Sequence, residues 1–194
     1  MNVSMPDEAK QTLRGLLEGN DRFRDDRMRY RRDVEAAKRT APSQSPKAAV
    51  FTCVDSRVMV ESVFDCDFGE LAVVRTAGHV PDRAAVGSLE FIATELKVDV
   101  VVVLGHQRCG AIAAALETVK ESDDSTGTGF LIEQLWDPAA QALKECPDDA
   151  APYAETLHVR KTVASLNERD KFHNVPVIGA TYELDTGAVK FLDV

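Results

Sequence analysis

The chain has no stretch of about 20 consecutive apolar residues, the length a helix needs to cross a bilayer, so no membrane-spanning segment is expected. Residues 1–7 lack a basic segment followed by an apolar one. No secretory signal is therefore expected, and the cytoplasm is the expected location. Positive charge is also short: 23 Lys and Arg against 32 Asp and Glu leave a net −9, which favours solubility and argues against general affinity for nucleic acid. No internal repeat breaks the 194 residues, which suffice for one large domain, and 44% hydrophobic content provides a sizeable core. Cysteine is sparse, with only Cys53, Cys66, Cys109 and Cys146. An even count permits two disulfides. In an intracellular-looking chain of this size, metal binding or catalysis is the stronger reading for Cys53 and Cys109, and Cys66 and Cys146 read as ordinary thiols.

What is present is an alternation of short apolar runs and amphipathic segments. Residues 7–21 read as a helix, with Leu13, Leu16 and Leu17 at 3–4 spacing and Gly19-Asn20 as its stop. Residues 22–40 mix eight Arg and Lys with interleaved acids; they read as a solvated or subunit-wrapping arm rather than a nucleic-acid patch. Residues 41–46 form a linker rich in Pro and Ser. Strands are expected at 48–53, 71–75, 98–105 and 175–182, with an edge strand at 188–192 after a turn. Helices are expected at 83–96, 110–121, 130–145 and 151–170, and a polar, flexible loop at 122–129. The expected fold class is α/β: a mostly parallel central β-sheet flanked by helices, with an N-terminal helical arm. Residues 1–46 are read as the helix and oligomerisation arm, and 47–194 as the catalytic domain.

Two segments carry chemistry: Cys53-Val54-Asp55-Ser56-Arg57 and His106-Gln107-Arg108-Cys109. Both fall at the carboxyl ends of expected parallel strands, the edge where open α/β sheets collect ligands. Cys53 and Asp55, two apart in extended chain, point the same way. His106 and Cys109, three apart at the start of a helix, share a face. Two thiolates and an imidazole suit zinc, a borderline-soft ion. Three protein ligands leave a fourth tetrahedral position for water or a competing carboxylate, which is the mark of catalytic rather than structural zinc. Zinc lowers the pKa of bound water to about 7. Each motif alone is weak, and a strand cysteine is more often a small hydrophobe. Their joint placement is what gives specificity.

With these motifs the chain resembles the β-class carbonic anhydrases. The matching segments are Cys53-Val54-Asp55-Ser56-Arg57, Val73-Val74-Arg75-Thr76-Ala77-Gly78, Gly87-Ser88-Leu89-Glu90-Phe91 and Val103 through Ala111, together with the opening helix Leu16-Leu17-Glu18-Gly19-Asn20-Asp21-Arg22-Phe23. The resemblance is weakest over 24–46 and 120–170. It implies Cys53, His106 and Cys109 as ligands of Zn2+, and an Asp55–Arg57 dyad in which Asp55 either takes the fourth metal position or swings to Arg57 and admits water. The implied reaction is hydration of CO2 to bicarbonate by attack of zinc-bound hydroxide. Relatives on the same scaffold hydrolyse carbonyl sulfide or carbon disulfide, and the motifs do not discriminate these substrates. The resemblance also implies a homodimer or homotetramer with active sites near the subunit boundary. Some family members have an aromatic residue three positions before the first cysteine as part of a second bicarbonate site; Val50 stands there, so that site is not expected.

Other residues are placed with less specificity. Gly110 either allows backbone to pass close to the metal or simply starts a helix. Asp67 and Phe68 are candidates for the substrate-pocket mouth. His79 is read as a wall or interface residue before a proton relay, and His158 and His173 as surface residues. Arg108 either pairs with an acid behind the ligands or is solvated. A non-enzymatic alternative is a structural zinc module completed by Cys66.

Overall fold

The computed structural model describes residues 5–122 and 124–192; residues 1–4, on which part of the signal-peptide reading rests, Asp123 of the 122–129 loop, and residues 193–194 lie outside the described set. The elements run α1 Asp7–Arg24, α2 Val34–Thr40, β1 Ala48–Cys53, α3 Val60–Val63, β2 Leu71–Thr76, α4 Arg83–Phe91, β3 Val100–His106, α5 Gly110–Glu121, α6 Phe130–Glu145, α7 Ala150–Asn167, β4 Val177–Tyr182 and β5 Val189–Leu192. The strands form one sheet in the order β2-β1-β3-β4-β5. β1 pairs in parallel with β2 and β3, β3 pairs in parallel with β4, and only β5 is antiparallel. The expected α/β class holds.

Side chains of successive strand residues point to opposite faces, so each apolar run serves two cores. Val50, Val100, Val102, Leu104 and Ala180 pack with Ala9, Leu13 and Leu16 of α1 on one face. Ala49, Phe51, Val101 and Val103 pack with Leu89 of α4 and Val159 and Leu166 of α7 on the other. Both β1 and β3 are buried along their whole length, which explains the unbroken valines. A third cluster of α5, α6 and α7 residues closes around Cys53 and Cys109.

Three expectations need correction. Gly19-Asn20 does not stop α1, which continues to Arg24. A Cβ at Gly19 would lie 1.9 Å from the Phe64 carbonyl oxygen, so glycine is required for close approach. Buried Asn20 donates to the carbonyls of Val63 and Gly187 at 3.0 and 2.8 Å and accepts from the Val189 N–H at 2.9 Å. A residue pair that reads as a helix terminator is here a docking point. The 22–40 segment is also not simply solvated: α2 forms within it, capped by Asp33 on the Ala36 N–H, and Arg22, Arg29, Tyr30 and Arg32 bind the α3 region. The helix expected at 83–96 keeps those bounds, passing from α4 into a π turn over Ile92–Leu96 before Lys97 in left-handed conformation. Finally, α7 ends at Asn167, whose side-chain amide donates to the Val177 carbonyl at 3.0 Å and ties the helix end to β4.

Candidate active site

The crossovers bring the carboxyl ends of β1 and β3 side by side, with Thr52 in register with Leu104. Cys53 is the last residue of β1, His106 the last of β3, and Cys109 caps the N-terminus of α5. Their ligand atoms lie within 4.8 Å of one another, and all three residues are at least 95% buried. No disulfide joins them. The Cys53 and Cys109 sulfurs are 4.0 Å apart. Two sulfurs each about 2.3 Å from a tetrahedral ion would be roughly 3.8 Å apart, so the spacing fits. His106 Nδ1 faces the Gln107 carbonyl at 3.0 Å, which assigns the proton to Nδ1. Nε2 is left buried with no hydrogen-bond partner, beside the two sulfurs. A buried unpaired acceptor needs a reason, and a cation supplies it.

The electrostatics agree. The hydrogen bond from Cys109 pulls the Cys53 thiol well down against the opposing effect of burial. Sharing that proton, together with burial, pushes Cys109 up, although the backbone amides of Ile112 and Ala111 at the start of α5 favour its thiolate. The two close thiols favour a shared proton, and a divalent ion, which binds thiolates, would displace it. Cys66 is outside this group. Its thiol contacts the Phe64 carbonyl at 3.5 Å, and burial pushes it up to about 12, so it does not complete a fourth ligand.

Asp55 stands beside the cluster with its Oδ2 4.0 Å from His106 Nε2. Arg57 holds it as a fork: Nε donates to Oδ1 at 2.9 Å, Nη2 to Oδ2 at 2.7 Å, and the Arg57 backbone N–H to Oδ1 at 2.9 Å. The Arg57 hydrogen bond keeps the Asp55 carboxyl well below the usual carboxylate range. The structure thus presents the arrangement in which the carboxylate sits on the guanidinium and not on the metal position. Arg57 also donates to the Arg108 carbonyl at 3.2 Å. Arg75, at the end of β2, donates to the carbonyls of Cys53 and Asp55 at 2.9 and 2.6 Å and so fixes the loop between them.

Other expected residues disperse. Gly110 is exposed, and a Cβ there would meet nothing within 4 Å, so protein packing does not demand glycine. Asp67 pairs with Arg39 at 3.2 Å, and Asp67 and Phe68 line a 370 Å³ cavity with Arg32, Met59 and Cys66, apart from the metal group in the single chain. Arg108 has an acid partner: its Nη1 and Nη2 meet Asp185 at 2.8 and 2.7 Å, and Gln107 Nε2 joins at 3.0 Å. His173 is exposed as expected, but His158 is not a surface residue; it is 2% exposed and donates from Nε2 to the Gly78 carbonyl at 3.0 Å. His79 is fully buried behind the site, with neither ring nitrogen partnered, and burial drives its pKa well below the ordinary histidine value.

Three contributors were missed. Gly78 donates its N–H to Cys53 Sγ at 3.3 Å. Glu155 lies against Gly105, where its Oε1 would be 2.8 Å from an added Cβ, and burial raises its carboxyl to about 7. Arg75 carried a usable signal, a lone cation at the end of an otherwise apolar strand. Glu155 and His158 had none, because α7 buries them on the same face as Val159 and Thr162.

The sequence model of the carbonic anhydrase family matches residues 48–189, more than half of the chain. The chain belongs to the β-carbonic anhydrase family. Carbonic anhydrase 2 of Mycobacterium tuberculosis is 36% identical over 191 residues, covering 93% of this chain and 91% of that protein. The carbonic anhydrase of Pseudomonas aeruginosa is 36% identical over 201 residues, covering 93% and 88%. Among solved structures, the Coccomyxa β-carbonic anhydrase in complex with acetazolamide aligns with a TM-score of 0.70 at 27% identity, covering 82% of this chain and 78% of that one. The Aspergillus fumigatus β-carbonic anhydrase aligns with a TM-score of 0.70 at 25% identity, covering 82% and 81%. As a β-carbonic anhydrase the chain is a metalloenzyme of α/β fold whose Cys53, His106 and Cys109 form a group able to hold a metal ion. No helix among the described residues is long and apolar enough to cross a membrane.

Proposed function

We propose that the protein catalyses reversible hydration of CO2 to bicarbonate and a proton, with zinc held by Cys53, His106 and Cys109. The observation that carries this reading is the unpartnered His106 Nε2 aimed beside two close sulfurs, with a carboxylate–guanidinium fork at its side. Zinc bound there supplies the Lewis acidity that makes hydroxide available near pH 7, a property documented for carbonic anhydrases whose zinc has three histidine ligands.

The remaining roles fall to the chain's own groups. Asp55 Oδ2 is the oxygen turned toward the cluster, where it would accept a hydrogen bond from a nucleophile held at the metal position and so orient that nucleophile toward the substrate carbon. Arg57 keeps Asp55 ionised, so the carboxylate orients the nucleophile and does not take up its proton at neutral pH. The guanidinium is half-exposed, so the fork can open and let Asp55 approach the metal position. Gly110 leaves open space for a substrate oxygen at the first turn of α5.

We also read the protein as a homo-oligomer. β2 is an unpaired sheet edge built of Leu71, Ala72, Val73 and Val74, with Phe91 57% exposed nearby, and such an edge invites a second copy. Two Sordaria macrospora β-carbonic anhydrases with the same fold are described as tetrameric. Light scattering showing only a monomer would refute this.

The activity is tested by stopped-flow CO2 hydration at mildly alkaline pH on protein of verified zinc content, beside a sulfide-release assay with carbonyl sulfide. Fast hydration with little sulfide is the expected result. Strong sulfide release with poor CO2 hydration would keep the metal site and move the substrate.

A further inference from the structure

Directly behind Cys53 the backbone makes a left-handed turn of two residues. Gly78 has φ 57° and ψ 23°, and His79 has φ 43°. The left-handed region is open to glycine but costs a residue with a Cβ about 1–2 kcal/mol. Such strain persists only where the surroundings over-determine it, and it concentrates at functional sites. Here the turn has a clear product: it carries the Gly78 N–H onto Cys53 Sγ at 3.3 Å.

What holds the turn is equally clear. Thr76 Oγ1 donates across it to the Val80 carbonyl at 2.8 Å. A Cβ on Gly78 would come within 2.8 Å of the Ala111 Cβ, so the α5 side is closed. On the α7 side, His158 Nε2 sits 3.0 Å from the Gly78 carbonyl oxygen, which can only accept. His158 therefore carries its proton on Nε2, and its Nδ1, without a partner, is the bare nitrogen. The two imidazoles lie 4.4 Å apart between ring centroids, and His79 meets Phe51 edge-on at 6.3 Å. Both histidines are more than 97% buried, so neither ring has an open path to solvent. The arrangement reaches the metal position through one residue: His158 grips the carbonyl of Gly78, and the amide of Gly78 grips the sulfur.

We infer that His158 is a positioning residue for the metal centre. By holding the Gly78 carbonyl it locks the left-handed turn that aims the Gly78 N–H at Cys53 Sγ, and so sets the donor strength and direction of that ligand. An N–H bound to a thiolate withdraws charge from sulfur. Loss of the anchor leaves a more electron-rich, less well-directed ligand. Partners of this kind are worth about 10–100-fold in metal affinity when removed. The inference rests on the proposed metal site, and its test reads the metal and not the turnover.

Zinc affinity is measured by competition with a chromophoric chelator, and the sulfur-to-metal charge-transfer band is recorded on the cobalt(II)-loaded protein. His158→Leu is expected to bind zinc about 10-fold more weakly or worse and to move that band to longer wavelength. His158→Gln, whose side-chain amide nitrogen reaches the position of Nε2, is expected to keep both near wild type. His158→Asn, polar but too short to reach the Gly78 carbonyl, is expected to follow Leu, and it serves as the decisive variant if His158→Leu does not fold. Wild-type affinity and spectrum in folded Leu or Asn variants, or a Gln variant as weak as Leu, would overturn the inference and leave the metal site standing. A wild-type protein that binds neither ion would overturn the metal site and this inference together.

Discussion

Two Asp–Arg pairs in this molecule use the same chemistry for opposite ends. Asp65 is fully buried beneath α1; it accepts from Arg22 Nε at 2.6 Å and from the backbone N–H groups of Arg29 and Tyr30. Burial works against its charge, but these donors outweigh it and hold the carboxyl below its ordinary value. Every partner comes from a separate stretch of chain, so the pair staples residues 22–32 to the body. Asp55 is bound by one residue only, Arg57, two positions away and half in water. Its reach to a distant segment is a half-exposed hydrogen bond from Arg57 to the Arg108 carbonyl at 3.2 Å, so the fork can open without exposing a buried charge. Saturation and burial make the first pair structural. Locality and exposure leave the second available for chemistry.

The comparison breaks most visibly at Asp65. Asp65→Ala leaves Arg22 with an uncompensated, mostly buried charge and two backbone donors unpaired, and urea denaturation should show a loss of about 3–5 kcal/mol. A loss under about 1 kcal/mol, the range of exposed pairs, would erase the distinction. Asp55→Asn should do the reverse. Its stability should stay within about 1 kcal/mol of wild type and its zinc should remain, while the CO2 hydration rate falls roughly 100-fold or more. Full turnover in that variant would remove Asp55 from the mechanism.

Another buried group, His158, extends the structural side. Burial holds His158 down at about 4, against an ordinary histidine value of 6.5. A depressed histidine favours the folded state while neutral, so its contribution is whole above about pH 6.5 and is lost as pH falls through about 4. The amount is about 3 kcal/mol, and it should appear as the difference in acid sensitivity between wild type and His158→Gln. Equal acid sensitivity would mean that His158 charges without penalty. The smallest effect belongs to Arg27, which meets Asp25 at 2.5 Å with both side chains more than half exposed. Arg27→Ala should change stability by at most about 0.5 kcal/mol in thermal melts; a larger loss would show that exposure alone does not separate the two kinds of pair.

Much of the fold and of the metal group was readable before any coordinates. The runs at 48–53 and 98–105 supply β1 and most of β3, which are buried on both faces, and the two motifs fall at their carboxyl ends. The departures have one physical root: polar residues whose partners are distant in sequence. Asn20 looks like a helix stop until its contacts with Val63, Gly187 and Val189 are seen. His158 looks like a surface residue until α7 is laid across Gly78.

The sequence by itself determined the donor set, its place at the ends of two apolar strands, and the class of the fold. Those follow from local pattern: two-sided burial needs continuous apolar residues, and a metal needs particular atoms at short spacing. Only the tertiary structure decided that Asp55 rests on Arg57, that His106 Nε2 is left unpartnered at the sulfurs, and that Gly78 and His158 stand behind Cys53. Gly78 and His158 are brought there by hydrogen bonds across 25 and 80 positions of chain, whose partners are selected by packing, while the Asp55–Arg57 fork, though local, is one of two arrangements the same residues allow; neither leaves a periodic trace in the sequence.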